Sequence, residues 1–389
     1  IVLDDCPARI GSCLIFVALN LQVDIVAFIL LGFLGIQLIY LTVYLLAFSN
    51  PKIPHHEVSA SISVIVCAHD EEQNLRELIP LLTKQEYDEY EIIVVEDRSN
   101  DGSFDYLYET ASQNKNVKLV PVKSKPDHVN GKKFALTLGV KAAKYEWILL
   151  TDADCRPNSN RWIKEMSFQF SKDTSVVLGY SPYLKTSGLL NAFIRFESLL
   201  TGIQYMGMAL LGKPYMGVGR NLAYRKNVFL ENKGFKSHLT VTGGDDDLLV
   251  NEVSEKNNTA VSIGAEAIVF SKPKTTWGDF YVQKLRHLSV GKYYKTWDKL
   301  RLGLFNTTWV GSWALIVPAL LHSQFFYLLL GVMIARTVLL TILAHTASRK
   351  LGDRFEAWKV PFLDFIFVIY YLVTGLVALH TNNIRWKKT

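Results

Sequence analysis

Asp152 and Asp154 stand one residue apart at the end of an apolar run, Ile148–Pro157, which reads Ile-Leu-Leu-Thr-Asp-Ala-Asp-Cys-Arg-Pro. Residues i and i+2 of a strand point the same way, so both carboxylates can face one point just past the strand end. Two hard oxygen ligands there suit Mg²⁺ or Mn²⁺, and such an ion suits a diphosphate. The same spacing also occurs in ordinary solvated turns. The nearly pure apolar strand before it favours the metal site, because open α/β sheets bind ligands at the carboxyl ends of their strands.

Other clusters follow the same logic. An earlier apolar run ends in Cys67-Ala68-His69-Asp70-Glu71-Glu72, and a second in Glu96-Asp97-Arg98-Ser99-Asn100-Asp101-Gly102-Ser103. Asp70, Glu72 and Asp97 are candidates to accept from a nucleotide base N–H and from ribose hydroxyls. Asp70 and Asp101 are also placed to cap the helices that follow. Gly131-Lys132-Lys133 opens a helix, so Lys132 is either part of an anion site or a solvated lysine. Gly243-Gly244-Asp245-Asp246-Asp247 crowds three carboxylates. One of them, with its pKa raised by its neighbours, could deprotonate a hydroxyl, or the cluster could simply favour a helix N-terminus. Gln283, Arg286 and His287 fall on one helical face, either as a ligand-facing set or as part of a juxtamembrane amphipathic helix.

The elements that must position these groups alternate in type. Strands are expected at 62–68, 91–96, 117–122 and 147–150, with helices at 70–82, 104–114 and 132–144 between them, which argues for a parallel sheet with helices on both faces. The run 189–211 is apolar but broken by Arg195, Glu197 and Gln204; it reads as a helix on the membrane surface or lining an acceptor channel.

The 389 residues are 49% hydrophobic and 20% charged, too apolar for an ordinary soluble enzyme, and the excess lies at the two ends. Residues 25–48 carry no charge and are long enough to cross a hydrocarbon core of about 30 Å. A cleaved signal peptide is disfavoured by that length, by the absence of a basic segment just before it and of a small-x-small site after it. Residues 309–346 read as two short crossings broken at His322-Ser323-Gln324, and 358–380 as another. A further pass through 13–21 is an alternative. The formal charge is +6. Arg349, Lys350, Arg354, Lys359, Arg385, Lys387 and Lys388 flank apolar segments, as cytoplasmic membrane borders do, rather than forming a nucleic-acid surface. Counting crossings puts the C-terminus opposite the catalytic domain, while its basic tail argues for the same side. Cys6, Cys13, Cys67 and Cys155 have no metal spacing; Cys67 and Cys155 read as core fillers. The expected organisation is a membrane anchor at 1–50, a cytoplasmic catalytic domain with interfacial helices at 51–300, and membrane helices with a basic tail at 301–389.

The ordered set of motifs resembles the family-2 glycosyltransferases, the inverting, membrane-bound group with the GT-A fold that includes ceramide glucosyltransferase-like and polysaccharide synthase-like enzymes. The resemblance covers roughly residues 61–294, with the flanking helices in outline; 217–225 is similar to the family's segment beside the acceptor. It implies a Rossmann-like α/β domain with a mostly parallel sheet, helices on both faces, and flanking transmembrane helices. Asp70 and Asp97 would hold the base and ribose, Lys132 the diphosphate, and Asp152 or Asp154 the metal. Asp246 would be the catalytic base, with Asp245 as rival, and Gln283 and Arg286 would close over diphosphate and acceptor. The implied donor is a nucleotide sugar, a UDP-sugar favoured, and the acceptor a lipid or glycan in cell-envelope synthesis at the inner membrane. Arg98 stands where the family has Gly, Asp245 where it has Glu, and His287 where the processive synthases have Trp. A membrane phospho-sugar or nucleotidyl transferase, or a non-catalytic scaffold, are the competing classes.

Overall fold

The computed structural model describes residues 6–56, 60–127, 129–322 and 324–380, with side chains described from residue 25 onward, 322 and 379 excepted. The side chains of Cys6, Cys13 and His322, together with Ser323, Arg385, Lys387 and Lys388, lie outside the described residues.

One helix, α1 (Cys6–Ser49), precedes the sheet domain. It runs unbroken through 13–21, so that stretch forms no separate pass. Then come β1 (Ile62–Ala68), α2 (Glu72–Thr83), β2 (Tyr90–Glu96), α3 (Ser103–Gln113), β3 (Val117–Pro121), α4 (Gly131–Ala142) and β4 (Trp147–Asp152). These strands are parallel, β1 lying between β2 and β4. Both faces are covered, which is why the strands read as continuous apolar runs rather than alternating ones. Ile65, Ile93 and Ile148 face one core, and Val64, Ile92 and Leu149 the other. Gly139 lets α4 approach closely: a Cβ there would lie 2.7 Å from Ile65 Cγ2.

The second half of the chain completes the sheet with β5 (Cys155–Pro157), α5 (Trp162–Ser167), β6 (Val176–Gly179), α6 (Leu189–Leu210), β7 (Leu222–Arg225), α7 (Lys226–Glu231), α8 (Asp247–Val253), β8 (Thr259–Ser262) and β9 (Val269–Ser271). The seven-stranded order is β3-β2-β1-β4-β7-β6-β8. β7 runs antiparallel to both neighbours, so the sheet is mixed rather than all-parallel. β5 and β9 form a separate antiparallel ribbon.

Next are α9 (Trp277–Val290), α10 (Thr296–His322), α11 (Phe326–Leu351) and α12 (Val360–His380). Among the described residues, four helices are long and apolar enough to cross a membrane: 25–49, 296–321, 326–351 and 357–378. α10 starts well before the expected residue 309 and includes residue 301, because its charged first turns are held by the sheet domain. Asp298 is buried and accepts from Asn251 Nδ2 at 3.0 Å. α6 is not on an open surface. Its apolar residues share one core with Leu41 and Tyr44 of α1, Leu340 of α11 and Leu363 of α12. Its Arg195 bonds Asp353 at 3.1 Å and Glu356 at 2.9 Å in the α11–α12 loop.

Candidate active site

β4 ends at Asp152, and α4 begins beside it. Asn130 caps α4, its Oδ1 accepting from Lys132 N at 3.1 Å. This cap aims Lys132 at two carboxylates: its Nζ lies 3.1 Å from Asp152 Oδ1 and 3.0 Å from Asp245 Oδ2. The lysine therefore joins the strand-end pair to the Gly-Gly-Asp-Asp-Asp loop. Burial works against its charge, yet Asp152, Asp245 and Asp246 hold its pKa well above the ordinary value.

That loop needs its glycines. Gly243 and Gly244 have φ of +87° and +77°, a region where Cβ is strained. They turn the chain so that Asp245 and Asp246 enter one cavity. Burial opposes ionisation of Asp245, but Lys132 brings its pKa below the usual carboxylate value. Burial and the neighbouring Asp245 push Asp246 upward. Asp246 also caps α8: Oδ1 accepts from Asp247 N at 2.9 Å and Oδ2 from Gly219 N at 2.6 Å. Both readings of the cluster thus meet in one residue. Asp247 also lines the cavity, accepts from Tyr294 Oη at 2.8 Å, and has its pKa raised well above the ordinary value by burial.

Asp152, Asp154 and Cys155 offer ligand atoms within 4.8 Å of one another. Burial and Asp152 raise the pKa of Asp154, outweighing the opposing pull of Arg220. The Cys155 thiol is pushed well above its ordinary pKa by burial and stays protonated. The usable donors are then hard carboxylate oxygens, a set that fits Mg²⁺ or Mn²⁺.

The β1 and β2 loops are placed differently from the sequence expectation. Asp70, Glu72 and Asp97 do not line the cavity, whereas His69 and Glu71 do. Asp70 does not cap α2 but accepts from Asn100 N at 2.7 Å. Asp101 accepts from Glu72 N at 3.0 Å and from Ser103 N at 2.9 Å. These acidic groups staple the two loops to each other. Asp97 is buried and accepts from Arg98 Nε at 2.8 Å. Arg98 and Asp70 are left-handed, with φ of +56° and +52°. His69 Nδ1–H donates to the Asp97 carbonyl at 2.6 Å, which fixes the ring at the cavity edge.

α9 supplies the opposite wall. Thr276 and Asp279 form a reciprocal cap: Thr276 Oγ1 accepts from Asp279 N at 3.1 Å and donates to Asp279 Oδ2 at 2.7 Å. Phe280 stacks on Tyr370 of α12 with centroids 5.5 Å apart, which fixes the helix. Gln283, Arg286 and His287 all line the cavity. Gln283 Oε1 is buried with no hydrogen-bond partner among the described residues. His287 is reached by solvent inside the cavity. Close packing, with Lys284 and Arg286 beside it, holds its pKa well below the ordinary value, so the ring is neutral at pH 7. Lys284 itself pairs with Glu197 of α6 at 2.5 Å.

Sequence reasoning missed Arg220. It stacks over Tyr183 at 4.6 Å, feels the charge of Asp154 and Asp152, and has a buried Nη1 with no partner among the described residues. The sequence signalled its segment, 217–225, as similar to the family's stretch beside the acceptor, but gave Arg220 no role of its own. The cavity collecting these groups has a volume of about 1730 Å³.

Residues 63–231 match the family model described as Glycosyl transferase family 2. Over this stretch the chain is similar to the family 2 glycosyltransferases. Over 100 residues it is 32% identical to a poly-β-1,6-N-acetyl-D-glucosamine synthase of Staphylococcus epidermidis, covering 25% of this chain and 23% of that protein. Over 245 residues it is 25% identical to a probable glycosyltransferase, YdaM, of Bacillus subtilis strain 168, covering 60% and 55%. The chain thus spans about a quarter to about half of the length of these curated relatives. The fold is similar to that of a mannosyltransferase from Pyrobaculum calidifontis, solved in complex with GDP-Man and Mn²⁺. The TM-score is 0.59 at 16% identity, covering 91% of this chain and 99% of that one. The sheet domain has the GT-A architecture.

Proposed function

We propose that the protein is a membrane-bound inverting glycosyltransferase. It moves a sugar from a nucleotide diphosphate sugar, a UDP-sugar favoured, onto the hydroxyl of a lipid or growing glycan. The observation that carries this reading is Lys132 bridging Asp152 and Asp245 at one wall of a cavity that Asp246, Gln283 and Arg286 also line.

Asp152 and Asp154 would hold Mg²⁺ or Mn²⁺, which when bound supplies positive charge at the diphosphate. Lys132, Arg220 and Arg286 add fixed positive charge where the leaving diphosphate gathers its negative charge. Asp70, Glu72 and Asp97 position the base and ribose. For Asp70 and Glu72 the supporting feature is their place in the stapled strand-end loops, and Asp97 acts through the backbone that seats His69. Asp246 takes the proton of the acceptor hydroxyl. The freed oxygen bonds to the anomeric carbon, the bond from that carbon to the phosphate oxygen breaks, and the nucleoside diphosphate leaves. One base without a separate nucleophile gives inversion. Asp246 is favoured over Asp245 because Asp245 is engaged by Lys132 and its proton affinity is lowered. The catalytic domain faces the cytoplasm at the inner membrane.

The test is release of nucleotide from UDP- and GDP-sugars by the purified protein with Mn²⁺ and membrane lipids. Free nucleoside diphosphate is the expected product; monophosphate or pyrophosphate would instead indicate a phospho-sugar or nucleotidyl transferase. Asp246→Asn is expected to lower transfer by about 10²–10⁴ while nucleotide binding stays near normal. Wild-type turnover in that variant removes Asp246 from the role.

A further inference from the structure

The cavity is larger than a donor needs. Its volume of about 1730 Å³ exceeds the roughly 300–1,000 Å³ of an ordinary ligand pocket. Its two halves differ in chemistry. One is the charged cluster around Asp246. The other lies among membrane-length helices and is lined by Phe33 of α1, Val310 and Gly311 of α10, and Phe367, Gly375 and Ala378 of α12. Among the described residues, this lining carries no Asp, Glu, Lys or Arg past Lys299. The groove is open at Gly303, where a Cβ would meet nothing within 4 Å. The stretch of α12 from Phe367 to Ala378 rises about 16 Å, half of a hydrocarbon core of about 30 Å.

An apolar groove at this depth is best covered by an apolar occupant. A glycan there would find side-chain partners at Asn306, Thr307, Tyr370 and Tyr371, but none at Val310, Gly311, Leu372, Gly375, Leu376 or Ala378, so most of its hydroxyls would be left unpaired. At its other end the groove opens directly onto Asp246 and onto the orphaned Gln283 Oε1, an acceptor suited to a hydroxyl donor. Resting on the transferase reading above, we infer that this half binds the hydrocarbon chain of the acceptor: a long-chain membrane lipid with a neutral hydroxyl head, its chain between α10 and α12 and its hydroxyl at Asp246.

The test uses the full chain in detergent and a long-chain alcohol bearing a photoreactive diazirine near its far end, with labelled residues mapped by mass spectrometry. Mn²⁺-dependent binding of UDP and GDP is measured on the same samples. Label is expected on the groove-lining residues of α10 and α12, displaced by excess unlabelled alcohol. Gly375→Leu, and independently Ala378→Phe, should reduce it about tenfold, since each fills space for roughly two methylenes. Val373→Leu, on the outer face where Val373 is 56% exposed, should leave it unchanged. Label confined to the outer faces, or unaffected by both plugs while nucleotide binds, overturns the chain site and leaves the transferase reading standing. Displacement by a soluble oligosaccharide but not by the alcohol makes a glycan the occupant and also overturns it. Groove label that behaves as expected, in a protein that binds neither nucleotide, supports the chain site and overturns the transferase reading instead.

Discussion

Asp246 illustrates how one side chain serves fold and chemistry together. Its oxygens take two backbone N–H groups, yet burial and Asp245 keep its pKa above the usual carboxylate range. A base works only when ionised, so transfer should fall as pH drops through this raised value, at a higher pH than for a solvated carboxylate. Asp245→Asn removes the adjacent negative charge, lowers the pKa of Asp246, and should move the acid limb of the residual rate to lower pH. A pH–rate profile over about pH 4 to 8 reads this directly; an unmoved limb means another group titrates. Lys133 is the structural counterpart of Lys132. It is fully buried, and its Nζ donates to the carbonyls of His238 at 2.5 Å and Val241 at 2.8 Å, holding the chain just before the catalytic loop. Burial lowers its pKa from 10.5 to about 8. Between those values the unfolded chain binds more protons, so this group's contribution to stability rises with pH. Wild type should therefore gain on Lys133→Met from pH 8 to 10.5, by up to about 3 kcal/mol, measured by unfolding at several pH values. A constant difference across that window would show that the lysine does not titrate there. These residues were legible to different degrees. Lys132, Asp152, Asp245 and Asp246 sit at strand and helix ends whose positions follow from local pattern. Arg220 and His69 owe their places to long-range packing, which spacing along the chain does not carry.

At the scale of elements, β1 to β4 stood out because each is an apolar run bounded by a helix. β6 to β9 did not, since they have only three or four residues and pair with distant strands. The antiparallel insertion of β7 beside β4 is likewise a tertiary choice. The membrane-length helices are joined by polar ties that composition shows only as stray charges. Asp364 of α12 accepts from Trp309 Nε1 at 2.8 Å and Trp313 Nε1 at 3.2 Å, and pairs with Arg336 of α11, both charges being fully buried. Gln37 of α1 donates to Thr308 Oγ1 of α10 at 2.7 Å. Removing one partner of a buried pair strands the other charge, so Asp364→Asn should destabilise the protein by about 3–5 kcal/mol. The double change Arg336→Met with Asp364→Leu should be milder, because no charge is left alone. Thermal unfolding in detergent checks both. Equal losses in the single and double variants would mean that packing, and not the charge pair, holds this junction.

In the whole molecule the core on one face of the sheet continues into α1, α6, α10, α11 and α12, so the helices also report on orientation. Ser49 at the end of α1 and Thr296 at the start of α10 border the sheet domain along the chain. The α11–α12 loop docks on the same domain through Arg195, which bonds Asp353 and Glu356. The links from α10 to α11 and from α11 to α12 are too short for anything but antiparallel neighbours. α12 therefore leaves the domain side, and its 21 residues rise about 31 Å, enough to cross a hydrocarbon core. On this path residue 380 is expected on the far side, against the pull of Arg385, Lys387 and Lys388 beyond it, which would favour the cytoplasmic side. Helix packing should win, because buried pairs such as Arg336–Asp364 hold α12 in place, whereas three terminal charges are worth about 1 kcal/mol each at a surface. An epitope tag after residue 389, probed in sealed vesicles of known orientation, should be reached from the side opposite a tag in the sheet domain and from the same side as one inserted at 323–325. A tag reached from the domain's own side would mean that α12 turns back within the bilayer. The groove between α10 and α12 would then close before the depth of Ala378, so the topology of this last helix also bears on the proposed lipid site.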